Sequence, residues 1–123
     1  MKMQKLVEAS PAIRKLAGKE LPLRISYALS RLIRQMDEHL VFYDERFRAM
    51  LEEHCRAEEG GWVPRTQDDR EALSGKHREL LELEADMGEF QPVTLPEGLA
   101  LDITAADLIA MEPFITIIFE EEK

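Results

Sequence analysis

Residues 22–57 read PLRISYALSRLIRQMDEHLVFYDERFRAMLEEHCRA, and this stretch decides the fold. It holds no glycine, and Pro22 is its one proline. Apolar or semi-apolar residues recur at Leu29, Ile33, Met36, Leu40, Tyr43, Phe47, Met50 and His54, at alternating steps of four and three. That spacing specifies a helix with one narrow packing seam. A helix of this length spans ~54 Å, more than the diameter of a compact domain of this size. It is expected to protrude, or to lie along a similar helix. Ile25, Leu32, Phe42 and Leu51 widen the apolar face in places, which calls for more than one packing element. Because one shorter helix would leave part of the seam bare, a homo-oligomer is expected, with Leu29 through Met50 as the oligomer seam.

Downstream, Glu58 to Arg65 carries two glycines and a proline and reads as a connector. Thr66, with Asp69 three residues on, reads as a helix cap. The next helix is expected from Gln67 to about Met87, with Leu73, Leu80, Leu81, Met87 and His77 on its stripe and Gly88 ending it. Two helices joined this way predict an antiparallel helical hairpin over about 22–87.

The flanks read differently. Met1 to Val7 is expected to be extended. Ser10-Pro11 reads as the start of a short N-terminal helix ending near Ala17 and Gly18. Beyond Phe90, Pro92, Pro96 and Gly98 punctuate a short extended stretch, with Pro96-Glu97-Gly98 as the tip of a small hairpin. Thr104 is expected to cap a helix over Ala105–Met111, and Phe114 to Phe119 reads as a strand. The basic first segment and the acid-ended last strand are expected to pair as a small β element from the chain termini. The whole, 1–123, reads as a single domain, mainly α (α+β), with its extended, helix and strand segment at about 90–123.

The formal net charge of −9 hides a split. Residues 1–36 hold eight basic and two acidic groups, a net of +6, and the remainder nets −15. The acidic bulk argues against extended nucleic acid as a partner. It does not exclude a small anion that meets the basic part alone. No apolar run approaches the ~18–20 residues of a membrane span. With no apolar leader and with Cys55 alone, the expected setting is cytoplasmic and reducing.

The basic residues are not scattered. Arg24, Tyr27, Arg31 and Arg34 fall at steps of three, four and three, on the side away from the seam. Arg14, Lys15 and Lys19 precede them. Guanidinium forks match phosphate oxygens and a tyrosine ring can stack on a base, so the seven residues form a candidate anion or nucleotide site. The rival reading is a solvated face, or ion pairs with the acidic half. The same stripe turns acidic at Glu38, Glu45 and Glu52, so two copies could stack antiparallel, basic end over acidic end.

Other chemistry is sparse. His39, His54 and His77 show no metal-ligand spacing, and no metal or other cofactor is expected. Cys55 lacks a nucleophile motif, and no phosphate loop or hydrolase elbow occurs, so no catalytic residue is assigned. Trp62 either plugs the hairpin end or anchors a partner.

The run Leu21-Pro22-Leu23-Arg24-Ile25-Ser26-Tyr27-Ala28-Leu29-Ser30-Arg31-Leu32 resembles small proteins encoded by tailed phages and prophages. So does the ending Ile103-Thr104-Ala105-Ala106-Asp107-Leu108-Ile109-Ala110-Met111-Glu112-Pro113-Phe114-Ile115. The likeness covers both ends and not the middle. It implies a viral or mobile-element setting, hence the host cytoplasm, and transfers no functional residue. Two functions are expected from the combination. One is a non-catalytic oligomeric binding protein that counters host defence by sequestering an anionic nucleotide signal or blocking a host protein. The other is a structural or tail-assembly protein, or a chaperone, that acts on a virion protein through Trp62 and the seam. A nuclease or phosphodiesterase would need metal carboxylates that the sequence does not single out.

Overall fold

Met3, Leu6, Ala9, Ala12, Ile13 and Leu16 are all buried, and their spacing near three to four residues draws the first segment into a helix. The computed structural model describes residues 1–97 and 102–119. Helix α1 runs Met3–Ala17 with Pro11 inside it. Two expectations are thereby corrected: Met1 to Val7 is not extended beyond Lys2, and Pro11 does not start the helix. An interior proline costs ~3 kcal/mol. Six buried apolar side chains outweigh that penalty, and the Pro11 ring stays exposed on the outer face. Pro11→Ala is expected to raise stability by about 1–2 kcal/mol, the proline penalty less the restriction proline places on the unfolded chain. Thermal unfolding checks this, and a lowered midpoint would contradict it.

Helix α2 spans Leu23–His54, 32 residues and ~48 Å. Its N-terminal part, as far as Leu40, carries the core: Ile25, Leu29, Leu32, Met36 and Leu40 pack with α1 and with Val93, Leu95, Met111 and Phe114. Its C-terminal half extends past that core as an arm. There Tyr43 and Phe47 stack with centroids 5.9 Å apart, and Phe47 lies 4.6 Å from the His77 ring.

The connector is more ordered than its glycines suggested. Strand β1, Cys55–Glu58, pairs antiparallel with β2, Gly61–Pro64, in the register Cys55↔Pro64 to Glu58↔Gly61. Gly60 makes the turn at φ 93, a conformation side-chain-bearing residues avoid. Helix α3 follows over Gln67–Glu82. Thr66 Oγ1 accepts from Asp69 N–H at 3.0 Å, as the sequence predicts. Thr66→Ala should cost about 1 kcal/mol of stability in urea titration. Contacts between α2 and α3 run in opposite senses: His54 meets Asp69, and Tyr43 meets His77.

Helix α3 stops at Glu82, short of the expected Met87. The chain is held straight there by the N-terminus. Met3 N–H donates to Leu83 O at 2.8 Å, Ala85 N–H donates to Met1 O at 2.7 Å, and Lys2 bridges Glu84. Ala85 and Met87 are buried as a result.

The last elements are strand β3, Val93–Pro96, helix α4, Ala105–Met111, and strand β4, Ile115–Ile118. Strands β3 and β4 pair in parallel from Val93↔Ile115 to Pro96↔Ile118. A parallel pair needs a crossover, and the stretch carrying α4 supplies it. The expected pairing of the first and last segments is therefore replaced: Lys2 goes to Glu84 and β4 goes to β3. Gly98, at the expected hairpin tip, and Glu120 to Glu122 lie outside the described residues. The outcome is mainly helical with two small sheets.

The seam residues are covered in part from within the chain. Leu29, Met36 and Leu40 are buried, and Ile33, Tyr43, Phe47 and Met50 are half-buried. Helix α1, twice as long as expected, packs on the first half of α2, and α3 packs on the second. The buried members, Leu29, Met36 and Leu40, are therefore closed off by the chain itself.

Candidate functional site

Arg24, Tyr27 and Arg31 stand on the first three turns of α2, one helical face apart from the core residues Ile25, Leu29 and Leu32. Across from them runs the segment from Glu89 to Thr94. Its position is set by polar contacts just upstream. His39 Nε2–H donates to Asp86 O at 2.7 Å. Gly88, at φ 61, donates its N–H to Asp86 Oδ1 at 2.8 Å. Phe90 leans on buried Phe114 with centroids 5.6 Å apart.

Between helix and segment lies a groove of ≈ 540 Å³ lined by Arg24, Tyr27, Arg31, Gln35, Phe90 and Gln91, with Glu89 at its side. The size suits a small-molecule ligand. Tyr27 is 62% exposed, and the Arg31 guanidinium carbon lies 6.0 Å from its ring centroid. Among the described residues, Arg24, Arg31 and Arg34 have no carboxylate within ion-pair distance. Two guanidinium forks without a carboxylate partner among the described residues, beside an aromatic face, can hold phosphate oxygens and a planar ring together.

The seven sequence candidates thus divide. Arg24, Tyr27 and Arg31 come together in the groove. Arg34 is exposed and stays outside it, as does Lys19. Arg14 pairs with Asp37 and lines a different groove, ≈ 450 Å³, between α1 and α2. Lys15 pairs with Asp107 at 3.2 Å and, as first cause, holds that carboxyl below its usual range. These two ion pairs tie α1 to α2 and α4. Sequence reading missed Gln35, Phe90 and Gln91. Nothing in their local pattern marks them, since they join the site through the fold-back of the chain after Gly88.

The histidines are engaged structurally. Lys76 Nζ donates to His54 Nε2 at 2.9 Å, so His54 carries its proton on Nδ1 and donates to Asp69 Oδ1 at 3.0 Å. Lys76 also pairs with Glu53 at 3.2 Å. Tyr43 Oη lies 2.7 Å from His77 Nε2, and burial, with Asp44 adding to it, pushes the Tyr43 phenol above its usual range. No group of three metal-ligating side chains forms among the described residues. Cys55 is buried. Trp62 sits on β2 opposite Ala57 and is 38% exposed, on the arm rather than in the core. No helix among the described residues is long and apolar enough to cross a membrane.

Hydrogen bonds from His54 and then Thr66 hold the Asp69 carboxyl below its usual range. A carboxyl depressed on folding contributes stability above its unfolded pKa and loses it as pH falls through the folded value. The α2–α3 junction should therefore weaken on acidification below the ordinary carboxylate range. Asp69→Asn should flatten that limb of a plot of urea midpoint against pH. An unchanged limb would contradict the assignment.

Comparison with protein-family models, with curated proteins and with solved structures returns no match for this chain.

Proposed function

We propose that this chain is a non-catalytic, self-associating binding protein whose single chain holds a small anionic nucleotide in the α2 groove. In the phage setting implied by the sequence resemblance, it acts in the host cytoplasm and removes such a signal from host defence. The observation that carries the reading is the pair of guanidiniums, Arg24 and Arg31, that flank exposed Tyr27 on the groove wall and meet no carboxylate among the described residues. Phosphate oxygens take the guanidinium forks, and the base lies against Tyr27 or Phe90. The gathered amides of Gln35 and Gln91 offer hydrogen bonds to ribose or base. Extended nucleic acid is disfavoured by the acidic remainder of the chain. Isothermal calorimetry against a panel of linear and cyclic nucleotides tests the proposal. Saturable binding that yields intact nucleotide afterwards supports it. No binding across the panel overturns it, and hydrolysis would make the protein an enzyme instead.

The assembly reading is favoured by one observation, the exposed Trp62 on the β1–β2 hairpin. It requires co-purification of a virion protein that Trp62→Ala abolishes.

A further inference from the structure

The outer face of α2 is patterned along its whole length. Arg24, Arg31, Glu38, Glu45 and Glu52 recur every seven residues, and all are exposed. Tyr27, Arg34, Val41 and Arg48 interleave at steps of three and four, again all exposed, with Val41 at 55%. These residues share one face of the helix, opposite the buried seam, and none of them enters the core of its own chain. The charge along it is ordered. Positive groups occupy the first half, and Glu38, Glu45 and Glu52 occupy the second. Arg48 departs from the pattern and is already paired with Glu52 at 3.2 Å.

We propose that a second copy of this chain packs antiparallel on this stripe and closes the groove. A two-fold axis beside Glu38 places Arg24 of each copy opposite Glu52 of the other, and Arg31 opposite Glu45. Arg34 then stands next to the other copy's Glu38 and neutralises the central pair. Two-fold symmetry makes every such contact twice, as an isologous interface requires. A parallel alignment is rejected by the same residues, since it would set arginine on arginine and glutamate on glutamate. From Arg24 to Glu52 the stripe runs about 42 Å, a length that suits a standard-sized interface of ~800 Å² per copy.

The pairing regulates the site. Glu45 and Glu52 of one copy bring carboxylates to the guanidiniums that line the groove of the other. Self-association and anion binding then compete for Arg24 and Arg31, and ligand frees the monomer. This regulatory step rests on the nucleotide reading. The interface does not.

Analytical ultracentrifugation of the full chain is the test. A dimer is expected at low salt, weakened about tenfold or more as ionic strength rises from ~0.05 to ~0.5 M. Glu45→Lys with Glu52→Lys should give a monomer with unchanged circular dichroism. Adding Arg24→Glu and Arg31→Glu to that variant should restore the dimer. A wild-type monomer at low salt, a dimer indifferent to the two lysines, or failure of the fourfold reversal to restore it would each overturn the interface. Inorganic tripolyphosphate should dissociate the dimer more than sodium chloride does at equal ionic strength, and equal effects would overturn the competition. A charge-reversible dimer without nucleotide binding removes the nucleotide reading and keeps the interface. Nucleotide binding by a wild-type monomer does the reverse.

Discussion

Phe114→Ala is expected to cost about 3–5 kcal/mol, a large share of the roughly 5–15 kcal/mol that holds a domain of this kind folded. Phe114 has no exposed surface and is among the largest fully buried side chains. It stands where three elements meet. Its N–H donates to Met111 O at the end of α4 at 2.8 Å, and its carbonyl accepts from Val93 N–H at the start of β3, also at 2.8 Å. Its ring supports Phe90. Truncation removes the transfer energy of the ring and leaves a cavity that α1, α2 and the β3–β4 pair cannot close together. Urea titration measures the loss. Phe119→Ala, at 69% exposed, is the control and should stay within about 0.5 kcal/mol. A loss below about 1 kcal/mol at Phe114 would mean that the core is centred elsewhere. Because Phe90 forms one wall of the groove, the same variant should also weaken any ligand held there at temperatures where it remains folded.

The second large effect concerns that ligand. Arg31→Glu replaces an attractive charge-assisted fork with a repulsive carboxylate at a site that also holds Glu89. Nucleotide affinity should fall by about 100-fold, equivalent to ~2.7 kcal/mol. The melting temperature of the monomer, measured at high salt, should hardly move, because the side chain is exposed and has no ion-pair partner among the described residues of its own chain to lose. Tyr27→Ala should cost about 1–3 kcal/mol of binding through lost stacking, whereas Tyr27→Phe keeps the ring and most of the affinity. Arg34→Glu, outside the groove, should affect binding much less. Equal losses at Arg31 and Arg34 would indicate a diffuse electrostatic effect, and the groove would no longer be the site.

Much of the helical framework is legible in the sequence for physical reasons. The α2 seam repeats without a breaker for seven steps, and local periodicity suffices to specify it. Thr66 and Thr104 each stand three residues before an aspartate, and both cap as such residues do. What misleads is Pro11. A serine-proline pair is a strong local start signal, but the stripe from Met3 to Leu16 buries more than the proline costs. Recognising that needs the surfaces it packs on, which come from α2 and α4. The same non-local dependence hides the end of α3. Nothing near Glu82 announces a stop, because the stop is made by Met1 and Met3 arriving from the far end of the chain. The β3–β4 pairing is hidden likewise, since strand partners separated by a crossover leave no mark in either strand. For the site, helical spacing finds Arg24, Tyr27 and Arg31 on one face. It cannot find the opposite wall, or foresee that Arg14 and Lys15 are claimed by Asp37 and Asp107.

The placement of Trp62 has an optical consequence. The one indole of the chain sits on the β1–β2 hairpin at the end of the arm, and the core around Leu6, Met36 and Phe114 contains none. Its emission reports the arm, while far-ultraviolet circular dichroism is dominated by all the helices together. The arm has few buried apolar side chains, the mark of a region that opens at lower free energy than the rest. Fluorescence should therefore lose its native signal at a lower denaturant concentration than ellipticity does. The gap between the two curves would measure how independently the arm frays from the body it extends.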